Sequence, residues 1–392
     1  MPLPYAAAFH ARLDWVCGVM TEMHEKALAM PGPAAHDPRI ILNQVRGSAD
    51  RILFDVNARD NCCEPYLKLR RRCAELGYDF SGTTDQRVED CRWVIFWDAW
   101  SITPTGLLSR TAHYFRTRKS GASARNLMRE VKQAKLTHRL ALFMFEPPPN
   151  CPGNFDPAIH DLFEIIFTWD PTLVDNRKYF QFCGPNPTDF PPVADIPYAD
   201  RKLAVDFSSY SVSSHPRELN SERRALIRYF EAHHPDQFDL YGHGWNPTLS
   251  GFLYRRFLGH KIKREFFPSY RGPVRQKSEV YPRYRFGICY ENTRDQPGYI
   301  SLKLIDCLRC GVIPVYRGAP DITDFVDKEA FIDRREFASN EELGKFLVSV
   351  GEDRFRSYQE AGRRFLASER GKRFFSENFV DTVVHALGLV SQ

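Results

Sequence analysis

The feature that most constrains this chain is the recurrence of short apolar runs separated by helical stretches. The segments "RILFDV" (51–56), "CRWVIFWD" (91–98), "RLALFMFE" (139–146) and "LFEIIFTW" (162–169) have the length and composition of strands. Between them, "PYLKLRRRCAELG" (65–77) predicts a helix closed by glycine, and a basic helix is expected near 122–136. Strand, helix, strand at this spacing requires parallel sheets with crossover helices, because a tight hairpin cannot join parallel neighbours. The alternation resumes after a proline-rich stretch with "LAVDFSSY" (203–210), "SERRALIRYFEAH" (221–233), "FDLYG" (238–242) and "YRFGICYE" (284–291).

A chain of 392 residues exceeds what one hydrophobic core supports, so two α/β domains with a cleft between them are expected. The pattern divides into a helical extension (1–40, with a helix over 6–30 and a linker over 31–39), a first domain (41–184) and a connection (185–202). A second domain (203–360) and C-terminal helices (361–392) packing back on the body complete it.

The formal net charge is +5, from 54 basic and 49 acidic residues, with no long basic tract, which suits anionic small molecules and not nucleic acid. The basic stretch 118–139 reads as a solvated helix face. No window is apolar enough to span a membrane, and His10, Arg12 and Asp14 interrupt any signal-peptide core. Ten cysteines show no disulfide framework, and Cys307-x-x-Cys310 lacks the second pair that zinc would need. Asn186 and Asn246 are each followed by proline, so neither is a glycosylation acceptor; both points suggest a reducing, cytoplasmic setting.

Two places carry candidate chemistry. Glu146 ends its strand immediately before three prolines, and in open α/β sheets ligands collect outside the carboxyl ends of strands. In "GYISLKLIDCLRCGVIPVYRG" (298–318), Ser301 is positioned to cap a helix whose apolar residues Ile300, Leu304, Ile305 and Leu308 recur at helical spacing, with Gly311 as its left-handed stop. Such a helix start offers free N–H groups and a positive dipole end, and Lys303 adds a full charge, so the segment has the capacity to hold a phosphate. The alternative is a surface lysine on an ordinary core helix.

The longer stretch "FGICYENTRDQPGYISLKLIDCLRCGVIPVYRGAP" resembles the signature of the α-1,3-fucosyltransferases, glycosyltransferase family ten. Tyr290, Glu291, Asn292 and Thr293 occupy its first block, Tyr299, Ser301 and Lys303 its second, and Gly311, Pro314, Val315 and Gly318 its third. "FMFEPPPN" is similar to the segment that carries that family's proposed base, which makes Glu146 the expected base. "SYSVSSHPRELNSERRALIRYFEAH" with "FDLYG" resembles the start of the donor domain, where an arginine faces the diphosphate. Arg223 matches best and Arg224 is the alternative, while Tyr241 falls on the same donor side as a core residue.

The resemblance, over roughly residues 140–335, implies two Rossmann-like domains facing across a cleft, the GT-B arrangement. It further implies inverting transfer of L-fucose from GDP-fucose to a hydroxyl of a glycan acceptor, through an α-1,3 linkage. Glu291, Asn292, Tyr299, Ser301 and Lys303 are then donor-binding residues, with no cofactor and no metal, in keeping with the lack of an Asp-x-Asp. An oligosaccharide or lipopolysaccharide acceptor and a cytoplasmic location peripheral to the inner membrane follow as expectations. One departure matters: the glutamate of the family's Glu-Lys pair is Leu302 here, with Asp306 one turn on as a possible replacement, and Trp169 stands where a tyrosine is usual. Two alternatives stay open, an exostosin-like or other GT-B enzyme with a different nucleotide sugar, and a non-catalytic nucleotide-sugar or glycan-binding protein.

Overall fold

Continuous apolar runs become strands covered on both faces. The computed structural model describes residues 39–43, 53–55, 58–82, 87–99, 127–136, 139–246 and 265–390. The expected helix 6–30, the linker up to residue 38 and residues 122–126 of the basic helix lie outside them. In the first sheet β1 (Arg39–Asn43), β2 (Asp79–Ser81), β3 (Trp93–Trp97), β4 (Leu140–Met144), β5 (Ile165–Thr168) and β6 (Tyr179–Gln181) run in the order β2-β1-β3-β4-β5-β6. Every pairing is parallel.

β1 replaces the strand expected over 51–56. Ile40, Ile41 and Leu42 are at most 1% exposed, whereas Leu53 and Phe54 lie in a turn, from which Phe54 packs edge-on against Phe80 of β2. Apolar content alone did not separate a strand from a turn that plugs the core.

The second sheet contains β7 (Lys202–Phe207), β8 (Phe238–Tyr241), β9 (Tyr270–Gly272), β10 (Tyr284–Tyr290), β11 (Ile313–Arg317) and β12 (Ile332–Asp333), in the order β12-β11-β10-β7-β8-β9. Counted from β7 this is the 3-2-1-4-5-6 order of a Rossmann sheet, whose direction switches between β7 and β10. In the first sheet the corresponding switch lies between β1 and β3. These two crevices are where such sheets take ligands.

The helices cover the sheets through apolar stripes. They are α1 (Glu64–Glu75), α2 (Leu127–Gln133), α3 (Asn220–His233), α4 (Leu302–Arg309), α5 (Asn340–Ser349), α6 (Glu352–Ala367) and α7 (Ser376–Ala386). Leu226, Ile227 and Phe230 of α3 are fully buried against the second sheet. The tail does pack back, and it does so on the other domain: Phe379, Val380, Val383 and Val384 of α7 join Phe143 and Phe182 in the first core. No helix among the described residues is long and apolar enough to cross a membrane.

Two polar tethers join the domains. Where the chain crosses, the Asn186 N–H donates to Phe374 O (2.8 Å), the Ser376 hydroxyl donates to Asn186 O (3.0 Å) and bonds Glu64, and Lys68 bridges Glu64 and Glu377, both at 2.6 Å. On the other tether the Lys277 N–H donates to Asp60 Oδ1 (2.6 Å), and its Nζ lies 2.6 Å from Asp306 Oδ2 and 3.5 Å from Asp60 Oδ2. Burial pulls the Lys277 ammonium down, but Asp306 and Asp60 outweigh it and hold its pKa above the usual lysine value. Removing one partner of a buried ion pair leaves an uncompensated charge, so Lys277→Met is expected to cost about 3–5 kcal/mol in chemical denaturation. A loss below about 1 kcal/mol would mean that solvent, not Lys277, compensates Asp306.

Candidate active site

The second-domain half of the site is organised by one buried carboxylate. Glu291 follows the last residue of β10 at the switch point and is fully buried. Its Oε1 accepts the Ser301 N–H (2.8 Å), and its Oε2 lies 3.4 Å from Lys303 Nζ. This corrects the expected cap: Ser301 occupies the N-cap position of α4, but its hydroxyl makes no capping bond. At the start of α4, where the sequence leads one to expect an anion, one donor is taken by the protein's own carboxylate. Burial pulls the Lys303 ammonium below the usual lysine value, with Glu291 acting in the opposite direction.

Close packing keeps Glu291 in place. A Cβ on Gly318 would lie 2.5 Å from Glu291 Cγ and 2.6 Å from the Tyr316 hydroxyl, so this position admits only glycine without displacement. Arg223, 3% exposed, donates from Nη2 to the carbonyls of Tyr290 (2.6 Å) and Glu291 (2.8 Å). Its Nη2 is thus committed to the end of β10 instead of being aimed wholly at a ligand. Arg224 is the more accessible of the two, reaching Ser211 O (2.7 Å) in the loop after β7 and Ser221 Oγ (3.0 Å) in the first turn of α3.

Other expected residues are distributed differently. Asn292 is half-buried, and its carbonyl accepts the Leu219 N–H (3.2 Å), which links the loops after β7 and β10. Tyr241 stacks on Phe207, and its hydroxyl lies 3.5 Å from that of Tyr284, at the amino end of β10. It lines a separate cavity of about 370 Å³ with Asp239 and Arg271, so its donor-side assignment is corrected. Asp306 does not replace the carboxylate missing at Leu302, because Lys277 holds it in the interdomain tether. Leu302 itself turns toward Gly184, where its Cδ2 would stand 3.8 Å from an added Cβ.

The two halves meet at Tyr299. Its ring packs 5.0 Å from that of Trp169 and belongs to the first domain's core, although it follows β10 of the second. Gly298 (φ +71°) permits this approach, since a Cβ there would fall 2.2 Å from Trp169 O. The Tyr299 phenol is raised well above its usual pKa by burial and then by Glu291, Glu146 and Asp98, so carboxylate charges from both domains act on it. Glu146 is half-buried just beyond β4 and accepts a hydrogen bond from Asn150 Nδ2.

Glu291, Ser301 and Lys303 therefore form one contact group, Tyr299 is carried on the loop just before them, and Glu146 acts on that tyrosine from the first domain. Sequence reasoning passed over Asp98 and Asp206, both buried at strand carboxyl ends. The rule that singled out Glu146 applies equally to them. Burial raises the Asp206 carboxyl, while Arg223, the Ser208 hydroxyl and Lys303 act against it. Overpacking a tight site costs about 1–3 kcal/mol, so Gly318→Ala is expected to lower unfolding stability by that amount as Glu291 is pushed aside. An unchanged denaturation midpoint would show that Tyr316 yields without cost.

The stretch that carries this site is similar to known proteins. Residues 206–370 match the model "Glycosyltransferase family 10 (fucosyltransferase) C-term". The chain is similar to an α-(1,3)-fucosyltransferase of Helicobacter pylori, 28% identical over 101 residues, which cover 26% of this chain and 18% of that protein. It is also similar to α-(1,3)-fucosyltransferase 7 of Rattus norvegicus, 36% identical over 112 residues, covering 27% of this chain and 30% of that one. The match thus spans less than a third of either relative's length. In fold, the structure resembles the crystal structure of an α1,3-fucosyltransferase with GDP-fucose, at a TM-score of 0.50 and 13% identity over 91% of this chain and 93% of that one. Residues 206–370, most of the second domain, are thus similar to a glycosyltransferase family 10 (fucosyltransferase) C-terminal domain, and the two-sheet frame has the GT-B arrangement.

Proposed function

We propose that this protein is an inverting glycosyltransferase that moves L-fucose from GDP-fucose to a hydroxyl of a glycan acceptor, with formation of an α-1,3 linkage. The observation that carries this reading is the coincidence of the family match with the geometry. The matched stretch contains Glu291, Tyr299, Ser301 and Lys303 at the switch point of the second sheet, and the charge of Glu146 in the first domain acts on the same tyrosine.

In this reading Glu146 takes the proton of the acceptor hydroxyl as that oxygen attacks the anomeric carbon on the face opposite the leaving diphosphate. General-base assistance of this kind contributes about 10²- to 10⁴-fold. Negative charge then grows on the departing diphosphate. Lys303, the first-turn N–H groups of α4 and the accessible Arg224 are the groups that meet it. Arg223 acts indirectly, by fixing the carbonyls beside Glu291. These cations support a leaving-group site that works without a metal, so transfer is expected to withstand EDTA.

The acceptor is taken to be an oligosaccharide or lipopolysaccharide glycan. Free thiols throughout the described residues support a reducing, cytoplasmic setting, peripheral to the inner membrane. Leu302 favours a second reading of the donor, since it supplies no carboxylate for sugar hydroxyls. A thermal-shift panel separates these readings and a third: stabilisation by GDP and not by UDP or ADP supports the fucosyl donor, stabilisation by UDP supports another nucleotide sugar, and no response supports a non-catalytic protein. Glu146→Gln is expected to lower turnover of GDP-fucose by at least about 10²-fold while GDP still stabilises the protein. Full turnover in that variant, read by mass on an acceptor array, removes Glu146 from the role of base.

A further inference from the structure

The turn that carries Glu146 is built around a buried carboxylate that the reaction as described does not use. Asp98 follows β3 at the switch point of the first sheet and is 1% exposed. Its N–H donates to Phe143 O (2.8 Å), and its backbone stands at φ 55°, a left-handed conformation that aspartate and asparagine tolerate better than other side chains. Its Oδ1 accepts three hydrogen bonds, from the N–H of Phe145 (2.8 Å), the N–H of Glu146 (2.9 Å) and Asn154 Nδ2 (2.7 Å). Asn154 is fully buried; it also donates to Glu146 O (2.9 Å) and accepts the Ala99 N–H (2.8 Å).

The support extends one step further. His160 Nε2 lies 2.7 Å from Asn154 O, and its Nδ1 lies 3.1 Å from the Tyr179 hydroxyl. A carbonyl only accepts, so Nε2 carries the proton and the tyrosine donates to Nδ1. Both the N–H and the C=O of Glu146 are thereby bound to side chains of the first domain's interior.

We propose that Asp98 is a positioning residue for Glu146, whose ionised carboxylate, together with Asn154, fixes the turn from which Glu146 reaches the acceptor hydroxyl. This rests on the reading of Glu146 as the base. The clamp depends on charge because an ionised oxygen is a stronger acceptor for three donors than a neutral one. Burial pushes the Asp98 carboxyl up to about 6, with the bonds from Glu146 N–H and Asn154 opposing that and the Glu146 charge adding to it. The titratable groups facing it among the described residues are Glu146, Cys151, Tyr66 and Tyr299. Asp98 therefore loses its charge, and loosens the turn, as pH falls through that value.

The test compares Asp98→Asn with the wild type and with Glu146→Gln in the full chain, using GDP-fucose and an acceptor found on the array. Asparagine keeps the shape, the left-handed backbone and one acceptor oxygen, and so mimics the protonated aspartate. It is expected to lower kcat at neutral pH about tenfold, because small misplacement of a catalytic group carries a cost of that order, while GDP stabilises it as it does the wild type. In the wild type kcat drops as pH is lowered through about 6, and this step is expected to vanish in Asp98→Asn. A merely structural role would not move the pH profile. Full wild-type kcat in Asp98→Asn, or the same acid step in both proteins, overturns the Asp98 assignment alone when Glu146→Gln is inactive. Full activity of Glu146→Gln overturns both assignments. Should Asp98→Asn fail to fold, Asn154→Asp, which places a second carboxylate against Asp98, is expected to raise the pH of the acid step, and an unmoved step overturns the proposal.

Discussion

The burial of the Glu291 carboxylate where β10 ends and α4 begins is the constraint on which the rest of the site depends. Taking an ionised group out of water costs several kcal/mol, and it is tolerated only where hydrogen bonds and an opposite charge replace the lost solvation. Here the Ser301 N–H and Lys303 supply them, and the lack of a side chain at Gly318 supplies the space. Arg223 holds the carbonyls of Tyr290 and of Glu291 itself, so the strand end is tied to α3 as well as to the start of α4. The position of Tyr299 follows, because it is carried on the short loop between β10 and α4.

The first domain repeats this logic with a different division of labour. At its own switch point Asp98 is buried and bonded to main-chain donors and Asn154, while Glu146, just past the next strand, stays half-buried. In both sheets a carboxylate just past a strand is withdrawn from solvent to hold the backbone. The interdomain frame then sets the distance between the two sites. Tyr299 and α7 each belong by sequence to the second half and by packing to the first core. The pairings of Asn186 with Phe374 and of Lys277 with Asp60 fasten the crossings.

Much of this architecture was legible in the residues. Runs such as "LALFM" and "FGICY" are apolar throughout because strands of a parallel sheet are covered on both faces, and their spacing around helices leaves little choice of topology. The stop of α4 at Gly311 (φ 63°) was legible because a left-handed helix end favours glycine. Less legible was the first strand: "RIILN" and "RILFDV" have similar composition, and only the packing of Phe54 against Phe80 distinguishes the turn from the strand. Asp306 and Tyr241 stood at plausible spacings in the chain, yet Lys277 and Tyr284, distant in sequence, determine which way they face.

The sequence by itself determined the alternation of strands and helices, the two-domain plan, and the identity of the groups able to move a proton or meet a phosphate, because these follow from periodicity and side-chain chemistry. Only the tertiary structure decided how those groups are used. Arg223 turned out to anchor carbonyls, Glu291 to cap a helix that Ser301 was expected to cap, and Asp98 to hold the turn beneath Glu146. The physical reason is that a buried charge takes whatever partner the fold brings within hydrogen-bond reach, and those partners come from strands and loops far apart along the chain.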